Sequence, residues 1–294
     1  MKKRVLITGA GRGLGRALAE EFHRKGWEIV ASDISSGLLA ELEGVEGYLP
    51  IVMDVTSDES VQRAFDTVRE SCPSLDLIID NAGIDIYFPL SEAPVGHLKR
   101  IFEVNFFGAC RVNQVFLPLL KKQGGILAIG SESLYLAAPF LSYPITKRAL
   151  ETYILGLRQE LWFSGRWATV VRCGPIRTGI VENLSGLKSE VSGTSLDPVF
   201  ARFASSVTKE VGKVMEPAEI AARIYKIACK RHPGGIYKIN NRFVLRMLKW
   251  IPFGIMEKAV RKKLSHQVNR GVSSRSLKQV CCRPAQRKLW WRRP

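Results

Sequence analysis

The sequence has little of what builds metal centres or disulfide frameworks. Its 294 residues include only six cysteines and four histidines, and no two cysteines form a C-x-x-C pair. Such spacings are the usual sign of a structural metal site or a redox dithiol. We therefore expect no metal site. Cys110 and Cys229 fall in apolar helical patterns and are interpreted as buried thiols of a reducing compartment.

Long apolar runs are also missing. No stretch approaches the ~20 apolar residues that a membrane-spanning helix needs. The first four residues lead straight into a strand-like segment, without the apolar core or cleavage site of a signal peptide. We therefore expect neither a transmembrane helix nor a signal peptide, and a cytoplasmic location.

Acidic residues are scarce in one part of the chain. The whole sequence has 44 Lys and Arg against 27 Asp and Glu, a net charge of +17, with an otherwise ordinary 46% of hydrophobic residues. Residues 242–294 hold 15 of the bases and one acid, Glu257, so the preceding 241 residues are nearly neutral. We predict a globular body over 1–241 and a basic extension over 242–294.

Apolar, β-branched runs alternate with helical patterns along the body, which is typical of βαβ units and a parallel sheet. The predicted fold class is α/β: a doubly wound parallel sheet in one Rossmann-like domain, followed by a basic C-terminal helical extension. The predicted strands are 5–8, 28–32, 49–53, 75–80, 126–130, 169–172 and 236–239; the predicted helices are 14–25, 58–71, 92–121 (with breaks near Pro94 and Pro118), 142–163 and 217–231.

A glycine-rich turn, from Thr8 to Gly15, joins the first strand to the first helix. Glycines let the backbone approach a pyrophosphate closely, and the helix N-terminus offers free N–H groups and a partial positive charge. The strand–turn–helix context favours a dinucleotide site over a merely flexible loop. The expected binding residues are Thr8, Gly9, Arg12, Gly13, Leu14 and Gly15.

Two side chains bear on which dinucleotide is bound. Asp33 ends the second strand, near the spacing expected of an acid that bonds the adenosine ribose 2′-hydroxyl. A carboxylate there repels a 2′-phosphate and favours NAD. Arg12 could instead meet that phosphate, so NADP is the alternative. Asp33 as a turn acid or helix N-cap is the other interpretation.

Tyr143 and Lys147 are four residues apart at the start of a predicted helix, which places them on one face. A free tyrosine has a pKa of about 10, and a neighbouring ammonium is expected to lower it towards neutrality. Pro144 is tolerated only in a first helical turn. The pair is interpreted as a general acid–base site rather than a surface pair.

Ser131 follows the fifth predicted strand, where its hydroxyl could bond a substrate oxygen. Ser133 is its main rival, and an ordinary turn serine is the alternative.

These segments together resemble the classical short-chain dehydrogenases and reductases. The resemblance covers about residues 4–240, in the family's order, and rests on Thr8-Gly9-x-x-x-Gly13-x-Gly15, Asp54-Val55, Asn81-Ala82-Gly83, Asn105, Ser131 and Tyr143-x-x-x-Lys147. It implies an NAD(P)-dependent oxidoreductase whose body is the dinucleotide-binding catalytic domain.

The resemblance also implies individual roles. Asp54 and Val55 would contact the adenine, and Asn81, Ala82 and Gly83 would stabilise the central strand and pass the adenosine ribose. Gly174, Ile176 and Thr178 would hold the nicotinamide carboxamide. Asn105 would hold a water in a proton relay, although a structural kink would also explain an asparagine within a helix. Ser131 would position the substrate oxygen, Tyr143 would move the proton, and Lys147 would bind the nicotinamide ribose and tune Tyr143.

Two departures from the family pattern stand near the site. Cys173 occupies the place of the family's usual proline, which puts the rigidity of that turn in doubt, and Asp80 occupies the place of a second asparagine. Neither removes a catalytic group, so we expect an active enzyme.

The remaining segments point to substrate and location. Residues 179–214 lack a clear period and are interpreted as a substrate-covering segment or a surface excursion. Residues 242–264 mix apolar and basic side chains, as an interfacial segment of two helices broken at Pro252–Gly254 would. The alternative is a helix packed on the body or across a dimer. Residues 265–294 are expected to be disordered, and no motif supports binding to nucleic acid.

The expected function is hydride transfer between a nicotinamide cofactor and a secondary alcohol or ketone, with a lipophilic small-molecule substrate. The alternatives are an NADPH-dependent carbonyl or 3-oxoacyl reductase and, more remotely, a non-catalytic dinucleotide-sensing protein. A homo-oligomer formed through the helices 92–121 and 142–163, and peripheral attachment to an anionic membrane, are further expectations.

Overall fold

The computed structural model describes residues 2–177, 188–210, 214–243, 247 and 250–265. Its centre is a seven-stranded sheet in the order β3-β2-β1-β4-β5-β6-β7, with every neighbouring pair parallel. The strands are β1 (Arg4–Thr8), β2 (Glu28–Asp33), β3 (Tyr48–Val52), β4 (Leu75–Asp80), β5 (Leu120–Ser131), β6 (Trp167–Cys173) and β7 (Ile236–Ile239). The predicted α/β fold and its parallel sheet are confirmed.

The helices cover both faces of that sheet. They are α1 (Gly13–Arg24), α2 (Asp58–Ser71), α3 (Val95–Phe102), α4 (Gly108–Phe116), α5 (Tyr143–Trp162), α6 (Asp197–Glu210) and α7 (Pro217–Ala228). A further helix, α8 (Phe253–Ser265), follows them in the chain. Local chemistry sets several of their ends. Ser57 caps α2 by accepting a hydrogen bond from the backbone N–H of Ser60, and Pro144 occupies the first turn of α5.

Alternation along the strands divides the core into two layers. Val5 and Ile7 of β1 pack with Phe22 of α1 and Ile224 of α7, whereas Leu6 between them packs on the opposite face with α2, α4 and α5. Each fully buried side chain of this kind contributes roughly 1.5–3 kcal/mol of transfer free energy. Because both faces are buried, the strands are continuous apolar runs, which is why they were predictable.

The predicted helix 92–121 is divided by a π-helical turn. α3 begins after Pro94, the turn spans Glu103–Phe107, and α4 follows as far as Phe116. Asn105 lies in the middle of the turn. The alternative interpretation of Asn105, a structural kink, therefore matches the backbone at this place. Such π-turns are frequent at functional sites.

Two expectations require correction. Residues 179–214 contain a helix that the sequence did not predict, α6, while 178–187 and 211–213 lie outside the described residues. Cys229 is exposed and Cys110 is half-buried, so the interpretation of both as buried thiols is wrong. The reason for Cys229 is that α7 ends at Ala228, which leaves the next residue on the surface.

The chain divides into two compact units, Met1–Trp250 and Ile251–Pro294. In the second unit, α8 begins directly after Pro252, at the predicted break, and carries Lys258, Arg261, Lys262 and Lys263 against Glu257. The first helix predicted for the extension lies only partly within the described residues, and 266–294 lie outside them. Among the described helices, none is both long and apolar enough to cross a bilayer.

Candidate active site

The glycine-rich turn is packed so tightly that side chains are excluded from it. A Cβ atom added to Gly15 would lie 1.9 Å from the carbonyl oxygen of Gly9, and one added to Gly11 would lie 2.5 Å from Cβ of Leu38. Gly9 and Gly13 have positive φ angles of 65° and 57°, which other residues rarely adopt. The turn can therefore bring its backbone against a bulky ligand, and Leu14 behind it is buried in the core.

The N-terminus of α1 opens from this turn without a capping side chain. Arg12 occupies the N-cap position, its side chain makes no capping bond, and the first turn of the helix contains no acid. The amide groups there, together with the helix dipole, suit an anionic group. Arg12 itself is exposed, so its guanidinium is available at the rim of the turn.

Thr8 and Asn81 lock the ends of β1 and β4 together. The Thr8 hydroxyl oxygen accepts hydrogen bonds from the backbone N–H groups of Asn81 and Ala82, both at 3.0 Å. The Asn81 amide donates to the carbonyl oxygens of Thr8 and Gly9 at 2.9 and 3.1 Å. Both residues thus fix the shape of the glycine-rich turn, which is the strand-stabilising role that the family resemblance implies for Asn81.

Asp33 ends β2 beside the same turn. One of its carboxylate oxygens accepts from the N–H of Gly11 at 3.0 Å, and the other accepts from the N–H of Ile34 at 2.9 Å. The structure therefore brings Asp33 to the glycine-rich turn and also shows it stabilising a turn of its own. The two interpretations drawn from the sequence are compatible here.

Asp54 and Val55 lie further along the same edge of the sheet, after β3. One oxygen of Asp54 accepts from the backbone N–H and the hydroxyl of Thr56, at 2.9 and 2.7 Å. The carbonyl of Val55 accepts from the guanidinium of Arg111 at 2.6 Å. These bonds hold the loop in place.

Tyr143 and Lys147 meet at the entrance of α5, as their spacing predicts. The Lys147 ammonium lies 5.5 Å from the centroid of the Tyr143 ring and donates to the carbonyl oxygen of Ile129 at 2.9 Å. Lys147 is only 2% exposed. That bond fixes the ammonium at the carboxyl end of β5, two residues before Ser131.

Burial opposes the tuning that the sequence predicts for Tyr143. Burial raises the pKa of the Tyr143 hydroxyl above its ordinary value, and the charges of Asp85 and Cys173 raise it further. Burial also lowers the pKa of Lys147 to about 8, against the opposing charges of Cys173, Asp80 and Asp85. The sequence showed the cation but not the desolvation that both groups share, which is the dominant effect here.

Asn105 is bonded on both sides of its amide. Its oxygen accepts from the N–H of Ile84 at 2.8 Å, and its nitrogen donates to the carbonyl of Ile84 at 2.8 Å and to the hydroxyl of Thr146 at 3.1 Å. These bonds join the π-helical turn to the segment after β4 and to α5. A Cβ atom at Gly83 would lie 3.3 Å from the Asn105 oxygen and 3.6 Å from the Lys147 nitrogen, so both groups flank Gly83.

Ser131 ends β5, directly opposite Cys173 in the sheet. Its hydroxyl lies 2.8 Å from that of Ser133 and accepts from the Ser133 N–H at 3.1 Å. The rival serines are therefore hydrogen-bonded neighbours. Glu132 between them is buried and binds Arg242 through the backbone N–H at 2.6 Å and the guanidinium at 2.8 Å.

The turn after β6 is held by hydrogen bonds, although it starts with Cys173 in place of proline. The N–H of Gly174 donates to the carbonyl of Ile239 at 2.8 Å, and the carbonyl of Pro175 accepts from the N–H of Met215 at 3.1 Å. Ile176 forms a parallel bridge with Met215. These bonds supply constraint that the missing proline would have given. Thr178 lies outside the described residues.

Two acidic residues near the site were missed as functional candidates. Asp85 lies among Ile84, Ile86 and other apolar residues, its pKa is raised to about 6 by burial, and it accepts a 2.7 Å hydrogen bond from the hydroxyl of Tyr87. Asp80 is buried, accepts from Asn113 at 2.8 Å, and has a pKa raised by burial to about 7. An acid inside an apolar run after Asn81-Ala82-Gly83 was the signal that could have identified Asp85.

An aromatic cluster anchors α6 near the entrance of α5. Phe140 is buried, with a positive φ of 66°, and its ring centroid lies 5.2 Å from that of Phe200 and 5.3 Å from that of Phe203. A phenylalanine in this backbone region is unusual and persists only where its surroundings demand it. Part of the predicted substrate-covering segment is thereby attached three residues before Tyr143.

Comparisons with known proteins agree with this geometry. The chain is 30% identical over 277 residues to the uncharacterized oxidoreductase YusZ of Bacillus subtilis, covering 90% of this chain and 99% of that one. It is 26% identical over 247 residues to the NADPH-dependent 3-dehydrocapnine reductase of Ornithobacterium rhinotracheale, covering 80% and 87% of the two chains.

A solved structure shares the fold. The crystal structure of a short chain dehydrogenase/reductase from Burkholderia phymatum in complex with NAD superposes with a TM-score of 0.73 at 22% identity, covering 87% of this chain and 95% of that one. A family model described as short chain dehydrogenase matches residues 3–187. The chain therefore belongs to the short-chain dehydrogenase family and is an NAD(P)-dependent oxidoreductase that acts on alcohol and carbonyl groups.

Proposed function

We propose that this oxidoreductase transfers a hydride between NAD and a secondary alcohol or ketone carried by a lipophilic small molecule. The observation that supports this most is that Lys147, 5.5 Å from the ring of Tyr143, is bonded to the carbonyl of Ile129 in β5, two residues before Ser131. Tyr143 packs there against an apolar cluster that includes Phe88, Ile101 and Val191. An apolar wall beside a proton-transfer group suits a lipophilic substrate.

The residues at the other end of the site fit a dinucleotide. A Cβ atom added to Gly9, Gly11 or Gly15 would crowd the turn, and the uncapped start of α1 suits a pyrophosphate. Asp33 would hold the adenosine ribose, and Asp54 and Val55 would contact the adenine. Asn81, Ala82 and Gly83 would pass beside the adenosine ribose. The nicotinamide carboxamide would be held by Gly174, Ile176 and Thr178. When bound, the nicotinamide supplies or accepts the hydride.

The chain's own residues manage the proton. Because burial raises the pKa of Tyr143, its hydroxyl carries a proton at neutral pH and can donate it to a carbonyl oxygen during reduction. Ser131, with Ser133 bonded to it, would hold that oxygen in place. Lys147 is fixed by the Ile129 carbonyl and would bind the nicotinamide ribose, while Asn105 would hold the relay water between Lys147 and solvent.

A different cofactor preference is the main alternative, namely an NADPH-dependent carbonyl or 3-oxoacyl reductase. Arg12, exposed at the rim of the glycine-rich turn, is the observation that favours it, and one relative is described as NADPH-dependent. Asp33 is the observation against it, because its carboxylate lies at the same turn.

Replacing Asp33 by asparagine should decide between the two cofactors. The Asp33→Asn variant keeps an oxygen that can accept from Gly11 but loses the charge that would repel a 2′-phosphate. We expect the ratio of kcat/KM for NAD over NADP to fall by about tenfold or more, since juxtaposed like charges cost several kcal/mol. Asp66→Asn, at an exposed position of α2, is the matched control. An unchanged ratio in Asp33→Asn would remove Asp33 from the cofactor assignment.

We further propose the homo-oligomer expected from the sequence, formed through the helices of residues 92–121 and through α5. A groove of about 1000 Å³ runs along the face of α5 that points away from the core, and its lining is largely apolar: Leu90, Phe106, Leu134, Leu136, Ala137, Ala138, Pro139, Leu141, Pro144, Ile145, Arg148, Ala149, Thr152, Tyr153, Gly156, Leu157 and Glu160. An exposed apolar surface of this kind is typical of protein interfaces.

Gly156 provides a test of that interface. A Cβ atom added at this position would meet no atom within 4 Å, so the fold should accept Gly156→Arg while the partner's surface should not. We expect the molar mass measured by light scattering to fall to that of one chain. Gly96→Arg, at another open glycine, is the control. A mass that is the same in Gly156→Arg and the unaltered chain would place the interface elsewhere.

Attachment to an anionic membrane through residues 242–264 is the last proposal. It is supported by the composition of α8, where four cations accompany one acid. Replacing Lys258, Arg261, Lys262 and Lys263 by glutamine in the full chain should abolish flotation with phosphatidylserine vesicles, because each cation near such a surface is worth about 1 kcal/mol.

The control for this experiment removes the same charge from the body of the protein. Its four substitutions to glutamine are at exposed positions: Arg63, Lys99, Arg100 and Lys226. Equal flotation of the two variants would favour the alternative in which α8 packs on protein.

A further inference from the structure

Asp85 has a carboxylate oxygen that is buried and without a partner among the described residues. Its other oxygen accepts the Tyr87 hydroxyl at 2.7 Å. Oδ1 is shielded from solvent, and although the backbone N–H of Ile86 lowers the pKa of the carboxyl, no described residue makes a hydrogen bond of ordinary geometry to Oδ1. A buried acceptor left unpaired is costly, so one in a native structure calls for an explanation. A donor that arrives with a ligand would supply one.

The backbone around Asp85 is clamped to the start of the catalytic helix. The carbonyl of Ile86 accepts from the hydroxyl of Ser142 at 2.8 Å, and Tyr87 forms an antiparallel bridge with Leu141. Ile84 is held on both sides by Asn105. Asp85 is therefore fixed relative to Tyr143 by contacts on each side of it.

Side chains alternate along residues 84–88, so that Asp85 is not part of the apolar cluster around Tyr143. Ile84, Ile86 and Phe88 belong to one hydrophobic cluster with Tyr143, whereas Asp85 and Tyr87, between them, do not. The charge of Asp85 adds to the rise in the pKa of Tyr143 and offsets part of the fall in the pKa of Lys147.

Glu190 and Val191, from the segment predicted to cover the substrate, contact the backbone and the apolar cluster next to Asp85. The carbonyl of Tyr87 accepts from the N–H of Glu190 at 2.9 Å, and Val191 packs on the cluster that contains Ile86 and Phe88. Asp85 therefore lies between the entrance of α5 and residues 190–191, on the side where a substrate of Tyr143 would be enclosed.

We propose that Asp85 is a specificity-determining residue, and that its unpaired oxygen accepts a hydrogen bond from a hydroxyl or ammonium group beside the reacting carbon of the substrate. This inference rests on the proposed function. It narrows the substrate class to lipophilic molecules that carry a second donor group, such as vicinal diols, hydroxyketones and amino alcohols. The same charge disfavours an anionic substrate.

Matched pairs of alcohols test the inference. The full chain is assayed with 2-butanol and 2,3-butanediol, and with longer pairs built in the same way, so that the members of a pair differ by one hydroxyl. We expect the diol to be preferred in kcat/KM by about tenfold or more, the usual scale for a hydrogen bond to a charged group. In Asp85→Asn, that preference should fall to about threefold or less. The charge is lost, and if the one remaining amide oxygen accepts the Tyr87 hydroxyl, an amide nitrogen that cannot accept a hydrogen bond faces the substrate.

Two further variants are controls for Asp85→Asn. Tyr87→Phe frees the second oxygen of Asp85 and should keep the preference for the diol. Asp66→Asn removes a charge of the same sign from exposed α2 and should leave the preference and the activity unchanged. Equal kcat/KM values for both members of each pair, with no change of the ratio in Asp85→Asn, would overturn the role of Asp85 alone. Turnover of neither series would contradict the proposed function and this inference with it.

Discussion

Replacing Tyr143 by phenylalanine should reduce turnover by roughly 10²–10⁴-fold while the dinucleotide still binds. The hydroxyl that moves the proton is lost, but the ring remains packed against Ile86, Phe88 and Ile101. Turnover is measured by the near-ultraviolet absorbance of reduced nicotinamide, and cofactor affinity by quenching of tryptophan fluorescence. We expect the affinity to change by less than about threefold, a shift below 1 kcal/mol.

Tyr48→Phe is the control for this substitution. Its hydroxyl bonds the carbonyl of Ala19 at 3.4 Å, on the side of the sheet occupied by α1. This variant should keep the turnover of the unaltered chain. A Tyr143→Phe variant that retained a tenth or more of the turnover would place the proton transfer on another group, and Ser131 would be the next candidate.

Gly15→Ala should abolish dinucleotide binding and lower the free energy of unfolding by about 3 kcal/mol or more, the upper range for overpacked sites. The added methyl group would stand 1.9 Å from the carbonyl oxygen of Gly9 and 2.6 Å from the amide nitrogen of Asn81. Neither can retreat freely, because Asn81 is bonded to Thr8 and Gly9. Urea denaturation and a cofactor titration measure the two effects.

Gly96→Ala, in α3, is the matched control. Its added methyl group would meet no atom within 4 Å, so the stability should stay the same or rise slightly. If Gly15→Ala bound the cofactor with unchanged affinity and unfolded at the same urea concentration, the glycine-rich turn would not be the cradle described above.

The architecture was predictable because its signals are local. β4 spans Leu75–Asp80 and α2 spans Asp58–Ser71, as expected from an apolar run and from Ser57 with two acids after it. A parallel sheet buried on both faces produces strands that can be located by apolarity alone. The spacing of Tyr143 and Lys147 on one helical turn is local in the same sense.

The parts that could not be predicted depend on contacts between distant segments. α6 packs on Phe140 through Phe200 and Phe203, and nothing near those residues in sequence announces the partner. The pKa of Tyr143 depends on burial and on Asp85, which lies 58 residues earlier in the sequence. Local patterns gave the cation at position 147 but not the low polarity around it, which opposes the predicted lowering of the Tyr143 pKa.

The two departures from the family pattern are likewise visible in the sequence, whereas their structural consequences depend on distant contacts. The sequence identified Cys173 and Asp80 as unusual, but it could not show how the structure accommodates them. Hydrogen bonds at Gly174 and Pro175 hold the turn in which Cys173 replaces the family's usual proline. Asn113 donates to Asp80, and burial raises the pKa of that acid to about 7, so it is partly protonated at neutral pH.

The central claim is that the chain is a working enzyme and not a dinucleotide sensor. The most direct test mixes the purified full chain with NAD or its reduced form and a panel of lipophilic secondary alcohols and ketones, and follows the absorbance of reduced nicotinamide. We predict an absorbance change that is matched mole for mole by substrate converted and is lost in Tyr143→Phe. Tight dinucleotide binding without an absorbance change for any member of the panel would contradict the account.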